Sequence, residues 1–467
     1  MSHLQSACRI VFRAAPRCSR TLASEASSGP STRYTAITHT PPSEVPEALA
    51  LANKYILGVY ARPDFVLTHG KGSHVWDTSG QKYLDFTAGI AVNSLGHADE
   101  GVIKVMQEQS ASLLHTSNVY HNEWAPKLAQ LLVTLTQKNG GLGFSPGTTE
   151  GGAKVFFANS GTEANEGALK IARKVGKDRG GASKTRITCF KNAFHGRTMG
   201  ALSVTPNNKY QGPFVPLIPG IDVGEYNNFP SLESLITSDT CAVIVEPIQG
   251  EGGVNPARAE WLATLRARCD STGAVLIFDE IQCGLYRSGT LWAHSALPVE
   301  AHPDIITMAK PLANGYPIGA VFMRDNIAET MTPGTHGTTF GGSPLACAIG
   351  HHVLSRLSSP EMRTHVASVS AHLHTRLEKL PRWFPQIFKD APEGMSSPIR
   401  GRGMIYGLPF RNEAHPADVV AKTRERGLFV LTAGSNTVRI LPSLTVTREE
   451  VDFAVDVLES VLGLLKV

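Results

Sequence analysis

The chain has 467 residues, 42% of them hydrophobic and 18% charged, with a formal net charge of +4. That supplies apolar material for a large core and two domains, and it excludes a disordered chain or a basic nucleic-acid-binding surface. No run approaches the about 18 apolar residues of a membrane span. The seven cysteines, at positions 8, 18, 189, 241, 269, 283 and 347, form no CxxC pair, which points away from a disulfide framework or zinc site and towards a reducing compartment.

Arg9, Arg13, Arg17 and Arg20 together equal the whole formal excess of +4, and the first acid is Glu25. An arginine-rich, serine-containing, acid-free start over residues 1–24 has the composition of a mitochondrial transit peptide. Residues 25–45, Ser/Pro/Thr-rich from Ser27 to Ser43, read as a linker. Beyond it, Tyr83–Val92 and the Gly96-His97 turn lead into a helical pattern from Glu100 to Leu113. The Gly140–Gly152 stretch precedes a strand instead of following one, so it reads as a flexible surface loop and not as a phosphate cradle.

From about residue 153 to 330, strand and helix patterns alternate, which predicts an α/β fold with a parallel sheet wrapped by helices. The apolar runs place buried strands at Lys154–Ala158, Arg186–Phe190, Cys241–Glu246, Val275–Asp279, Ile305–Ala309 and Gly319–Met323. Helices are expected at Pro344–Arg356 and Glu361–Lys379, then a strand near Met404–Pro409 and a helix near Ala417–Arg426. A strand pair around Phe429 and Val438–Ile440 and an amphipathic helix from Arg448 to Leu465 close the chain.

Two charges end buried runs: Asp279, and Lys310, which lies 31 residues later. Ligands of open α/β sheets collect at the carboxyl ends of such strands. A lysine amine able to form a Schiff base, beside an aspartate able to hold a ring nitrogen protonated, is what pyridoxal phosphate requires. On the pair alone, a surface lysine and a capping aspartate serve equally well. Asn159-Ser160-Gly161-Thr162-Glu163 follows the first of these strands; it can present helix amides to a phosphate, and it is also an ordinary capping box. Phe194-His195-Gly196-Arg197-Thr198 offers a ring to stack on a flat cofactor and a guanidinium for a carboxylate, although Arg197 taken alone reads better as a surface ion pair. His195, His351 and His352 have no ligand spacing and are read as structural. Glu246 and Glu251 flank a turn without a His or Asp partner, so no metal site is expected, and Glu246 reads as the mate of an arginine.

These motifs, with Phe278-Asp279-Glu280-Ile281-Gln282 and His336-Gly337-Thr338-Thr339-Phe340-Gly341-Gly342, resemble the class-III, ornithine-type aminotransferases from about Tyr60 to Leu464. The resemblance implies a fold-type-I homodimer with shared active sites, whose large domain (106–342) carries a mostly parallel seven-stranded sheet. A smaller α+β domain would combine residues 46–105 and 343–467. Implied cofactor contacts are Lys310 and Asp279, Gln282 on the ring hydroxyl, Phe194 on the ring face, and the amides of Gly161 and Thr162 on the phosphate, joined by Thr339 of the neighbouring subunit. Thr338 would line the substrate side and Arg197 would clamp a distal carboxylate. Arg439 would pair with Glu246 until a substrate brings a carboxylate beside the reacting carbon.

Asp85 to Asn93, His115 to Asn118 and Val430 to Gly434 are similar to the acetylornithine-using branch. Gly89 stands where ornithine-using relatives carry a tyrosine. The expected reaction is therefore transfer of the δ-amino group of N2-acetylornithine to 2-oxoglutarate, giving glutamate, in arginine biosynthesis. The alternatives are another ω-amino transaminase, for ornithine or 4-aminobutyrate, or a family member that does not transaminate. Tyr286, in place of the family's glycine, is expected at the wall of the site.

Overall fold

The computed structural model describes residues 29–42, 46–393 and 395–466; the expected transit peptide lies outside them, as does part of the linker. Near the N-terminus, β1 (Leu67–Lys71), β2 (His74–Asp77) and β3 (Lys82–Asp85) form an antiparallel meander. The central sheet takes β4 (Ala153–Ala158), β5 (Arg186–Phe190), β6 (Ile221–Gly224) and β7 (Thr240–Val245). A small hairpin, β8 (Ile248–Gln249) and β9 (Asn255–Pro256), follows. The sheet then gains β10 (Val275–Asp279), β11 (Ile305–Met308) and β12 (Gly319–Arg324). Its order is β4-β12-β11-β10-β7-β5-β6, and only β12 runs against the others. The α/β sheet expected from the alternating pattern is thus present, with the seven strands that the resemblance implies; β6 is the one that the residue pattern did not reveal.

Why these runs are so uniformly apolar follows from the layering. Successive side chains of a strand point to opposite faces, and both faces here are covered. Ala242, Ile244, Val275 and Ile277 pack with Ala164, Ala168 and Ala172 of the helix Gly161–Gly180. Val243, Val245, Leu276 and Phe278 pack with Trp261, Leu262 and Leu265 of the helix Ala259–Thr272. Each fully buried large side chain contributes about 1.5–3 kcal/mol, and the consequence for function is rigidity. The sheet's carboxyl edge, which ends in Asp279, is held from both sides.

The C-terminal part adds β13 (Arg400–Arg402), β14 (Ile405–Pro409), β15 (Leu428–Phe429), β16 (Leu431–Ala433) and β17 (Thr437–Ile440). β13, β14, β17 and β16 form their own antiparallel sheet, whereas β15 runs parallel to β3, with Leu428 opposite Leu84. The two ends of the chain therefore share one sheet. The last helix, Arg448–Leu462, starts at a capping box between Thr447 and Glu450.

Two expectations are corrected. The Gly140–Gly152 stretch is a surface loop only in its second half. Leu142 and Phe144 are buried in the main core, at 1% and 7% exposure. The amides of Leu142 and Gly143 donate to Nε2 of His294 and Nδ1 of His302, each at 3.2 Å. Buried backbone donors need acceptors, and these two histidines supply them. Tyr286 likewise packs into the main core at 3% exposure, so it forms part of the foundation and not an open wall.

Candidate active site

The parallel register sets Asp279, the last residue of β10, opposite Thr307 of β11. Three residues beyond Thr307, Lys310 opens a short 3-10 turn, Lys310–Ala313, in which Pro311 enforces the bend away from the sheet. The carboxylate and the amine thus leave adjacent strands at the same edge.

Asp279 is 3% exposed and held from three directions. Its Oδ2 accepts from Asn165 Nδ2 and from His195 Nδ1, both at 2.8 Å, while Oδ1 accepts from the Ile281 amide at 3.0 Å. Asn165 is itself fixed, donating to the His195 carbonyl at 2.7 Å and accepting from Thr307 Oγ1 at 2.7 Å. With a carboxylate as partner, His195 carries its proton on Nδ1, and its buried Nε2 finds no hydrogen-bond partner among the described residues. His195 and Asn165 had no chemical role in the sequence reading. The available signal was an asparagine in the middle of an otherwise alanine-rich buried helix face.

Burial, and then the charge of Arg439, lower the Lys310 ammonium pKa to about 8, against the pull of Asp279, Glu246 and Glu251. An amine poised near neutrality is a usable nucleophile and proton carrier. The helix Gly161–Gly180 starts at the same edge. Ser160 Oγ accepts from the Glu163 amide at 3.3 Å, which is half of a capping box; the Glu163 carboxylate accepts from the Asn159 amide, at 2.6 Å, and not from that of Ser160. The amides of Gly161 and Thr162 keep no intrahelical acceptor and sit at the positive end of a 20-residue helix. A Cβ on Gly161 would stand 2.9 Å from Ile281, so glycine lets this helix start close to the turn after Asp279.

Thr162 and Glu166, from the first two turns of that helix, anchor the loop that carries Arg197. Thr162 Oγ1 accepts from the amides of Arg197 and Thr198 at 3.2 and 3.3 Å. Glu166 accepts from Thr198 Oγ1 at 2.6 Å and from the Gly200 amide at 2.7 Å. The Arg197 guanidinium is exposed, 3.8 Å above the Tyr210 ring and 5.5 Å from the Phe194 ring. Thr338 is bonded through Oγ1 to Asn159 Nδ2 at 3.3 Å, and Thr339 beside it is exposed together with Phe340.

The expected pairing of Arg439 with Glu246 is not found. Arg439 donates through Nη2 to Glu251 Oε2 at 2.9 Å and through Nη1 to Gln282 Oε1 at 3.1 Å. Glu246, directly after β7, turns back on its own surroundings and accepts from the amides of Phe194 and Gly250, both at 3.0 Å. The hairpin of β8 and β9 carries Glu251 across to β17, where Arg439 lies; Tyr210 steadies it through a hydroxyl at 3.3 Å from Oε1. Burial raises the Glu246 pKa to about 7, aided by the charge of Asp279 and opposed by His195. Gln282, expected on a ring hydroxyl, also serves as an acceptor for Arg439.

The donor set fits pyridoxal phosphate. An amine and helix amides without a hydrogen-bond partner among the described residues, a braced carboxylate and an aromatic wall meet at one sheet edge. Lys310 would attach it, Asp279 would face its ring nitrogen, Gly161 and Thr162 would take its phosphate, and Phe194 would cover a ring face.

A parallel sheet whose carboxyl edge presents this lysine–aspartate pair defines an amine-handling α/β enzyme. Residues 59–462 match the family described as aminotransferase class-III, and the chain belongs to it. It is similar to the mitochondrial acetylornithine aminotransferase of Neurospora crassa, 48% identical over 91% of this chain and 89% of that protein. It is similar also to the mitochondrial acetylornithine aminotransferase of Yarrowia lipolytica, 49% identical over 89% of this chain and 95% of that one. Among solved structures, the ornithine aminotransferase of Toxoplasma gondii superposes with a TM-score of 0.78 at 31% identity, covering 90% of this chain and 95% of that one.

Proposed function

We propose that this enzyme transfers the δ-amino group of N2-acetyl-L-ornithine to 2-oxoglutarate, forming N-acetyl-L-glutamate 5-semialdehyde and L-glutamate, as a step in arginine biosynthesis in the mitochondrial matrix. The observation that carries the reading is the Glu251–Arg439 pair beside Lys310. A donor reacting through a δ-amine brings only methylene to that position, which a free guanidinium would not favour and a neutralised pair tolerates. Glutamate brings a carboxylate there, which can take Arg439 away from Glu251. Gly89 adds support. Its φ of +63° suits glycine, and by the family resemblance it stands where ornithine-using relatives carry a tyrosine. The names of the Neurospora and Yarrowia relatives agree with this substrate and compartment.

Bound pyridoxal phosphate supplies the electron sink that makes the substrate C–H bond acidic. The chain supplies the rest. Lys310 would hold the cofactor and would carry the proton at the substrate carbon. Asp279, braced by His195 and Asn165, would keep the ring nitrogen protonated. Arg197 forks onto the distal carboxylate that both substrates share, and its planar geometry favours two parallel hydrogen bonds. Thr338 lines the substrate side. A second copy of the chain covers exposed apolar residues such as Val119, Tyr120 and Phe340, at 79%, 70% and 64% exposure, and lends Thr339 to the phosphate.

The test is a donor profile with 2-oxoglutarate as acceptor. N2-acetylornithine should exceed free ornithine and 4-aminobutyrate by at least about tenfold in kcat/KM. A preference for either of the others would assign the enzyme to a different ω-amino substrate.

A further inference from the structure

A polar cavity of about 430 Å³ opens beside the Phe194–Tyr210 wall, bounded by the short helix Asn208–Gln211, by β13 and by the turn before β17. Three cations line it from three separate parts of the chain: Lys209, Lys389 and Arg400. Among the described residues its only carboxylate is Glu251, and both oxygens of that group are engaged, by Tyr210 and by Arg439. Neither lysine pairs with an acid among the described residues; Asp390, next to Lys389, is held by Arg411. Arg400 is half-buried and donates only to neutral groups, to Asn255 Oδ1 at 2.7 Å and Thr437 Oγ1 at 2.6 Å, leaving Nε without an acceptor. Burial brings its pKa down to about 10, the mark of a cation short of counter-charge.

We propose that this cavity is an anion subsite for a small dicarboxylate, held by Arg400, Lys209 and Lys389 next to, and separately from, the Arg197 clamp. Uncompensated charge concentrated in a recess raises the local concentration of anions of the right size. One carboxylate would leave most of the positive charge unmet. The cations come from different elements around the rim, so the matching ligand carries its charges at separated points, as a dicarboxylate does and a compact phosphate does not. Asparagine and serine side chains on the wall, Asn207, Asn436 and Ser435 among them, offer neutral hydrogen bonds between the charged ends. The subsite would gather dicarboxylates at the entrance whichever amine donor the enzyme uses.

Glutarate, which has neither an amino nor a keto group and cannot react, is the probe. It is titrated calorimetrically into the Arg197→Gln holoenzyme, so that the proposed clamp does not contribute, with and without Lys209→Gln and Lys389→Gln. Both lysines are exposed, and thermal melting checks that the variants fold. Binding should persist in the Arg197→Gln background and weaken by about tenfold, or about 1.4 kcal/mol, when the lysines are changed. No binding in that background, or equal affinity with and without the lysines, overturns the proposal. Inorganic phosphate binding more tightly than glutarate overturns the dicarboxylate assignment.

Discussion

Arg439 and Glu251 meet at 2.9 Å with unequal burial: the arginine side chain is 2% exposed and the carboxylate 34%. The guanidinium is therefore fixed inside the site, while its partner stands at the edge of a cavity and can be drawn away from it. Glu251→Ala should act in opposite directions on the two substrates. Glutamate, with a carboxylate beside its reacting carbon, should react as well as before or better, and N2-acetylornithine more slowly. Because Glu251 is one-third exposed, the accompanying stability loss should fall below the about 3–5 kcal/mol of a fully buried pair. Stopped-flow measurement of each half-reaction separates the two effects; equal slowing of both would remove the masking role.

Asp279→Asn should keep the fold and retain some cofactor, but lose most activity. A neutral amide cannot hold the ring nitrogen protonated, and it also presents an N–H where Asn165 or His195 donates. Activity within a few-fold of the parent would mean that another group fills this role.

Cofactor loading should depend on pH through Lys310. Only the neutral amine attacks a carbonyl, and the neutral fraction grows as pH rises through the folded-state pKa. With that pKa lowered to about 8 by burial and Arg439, the rate of pyridoxal phosphate uptake by the apoenzyme should rise across about pH 7–9 and then level off. A rate still climbing at pH 10 would show an unperturbed lysine. Uptake is read from the visible absorbance.

Leu142→Ala tests whether the first half of the 140–152 segment is part of the core. Removing a side chain at 1% exposure should cost about 2–5 kcal/mol and lower Tm accordingly. A change within about 0.5 kcal/mol, as for a surface position, would return the segment to the surface.

The sheet was legible because burial on both faces writes itself as unbroken apolar runs: Arg186–Phe190 and Val275–Asp279 appear where the residue pattern places them. Strand β6 was not, since Ile221–Gly224 is a short edge strand with one side open to solvent and no such run. Lys310 and Asp279 were legible as charges that end buried strands. The partner of Arg439 was not, because two glutamates flank one glycine-rich turn and only the path of the β8–β9 hairpin decides which of them reaches β17. His195 was passed over for a related reason: its partner, Asp279, lies 84 residues further along the chain. The burial of Leu142 depends on acceptors supplied by His294 and His302, which no local pattern announces.

The central claim is that Lys310 both attaches the cofactor and carries the proton. The most direct measurement is glutamate formation from N2-acetylornithine and 2-oxoglutarate by Lys310→Ala beside the parent enzyme, with thermal melting checked on both. Attachment and proton transfer vanish together in the variant, so turnover should fall by several orders of magnitude while the fold is kept, and the borohydride-sensitive visible absorbance should be lost. Near-parental turnover by a folded Lys310→Ala enzyme would contradict the account.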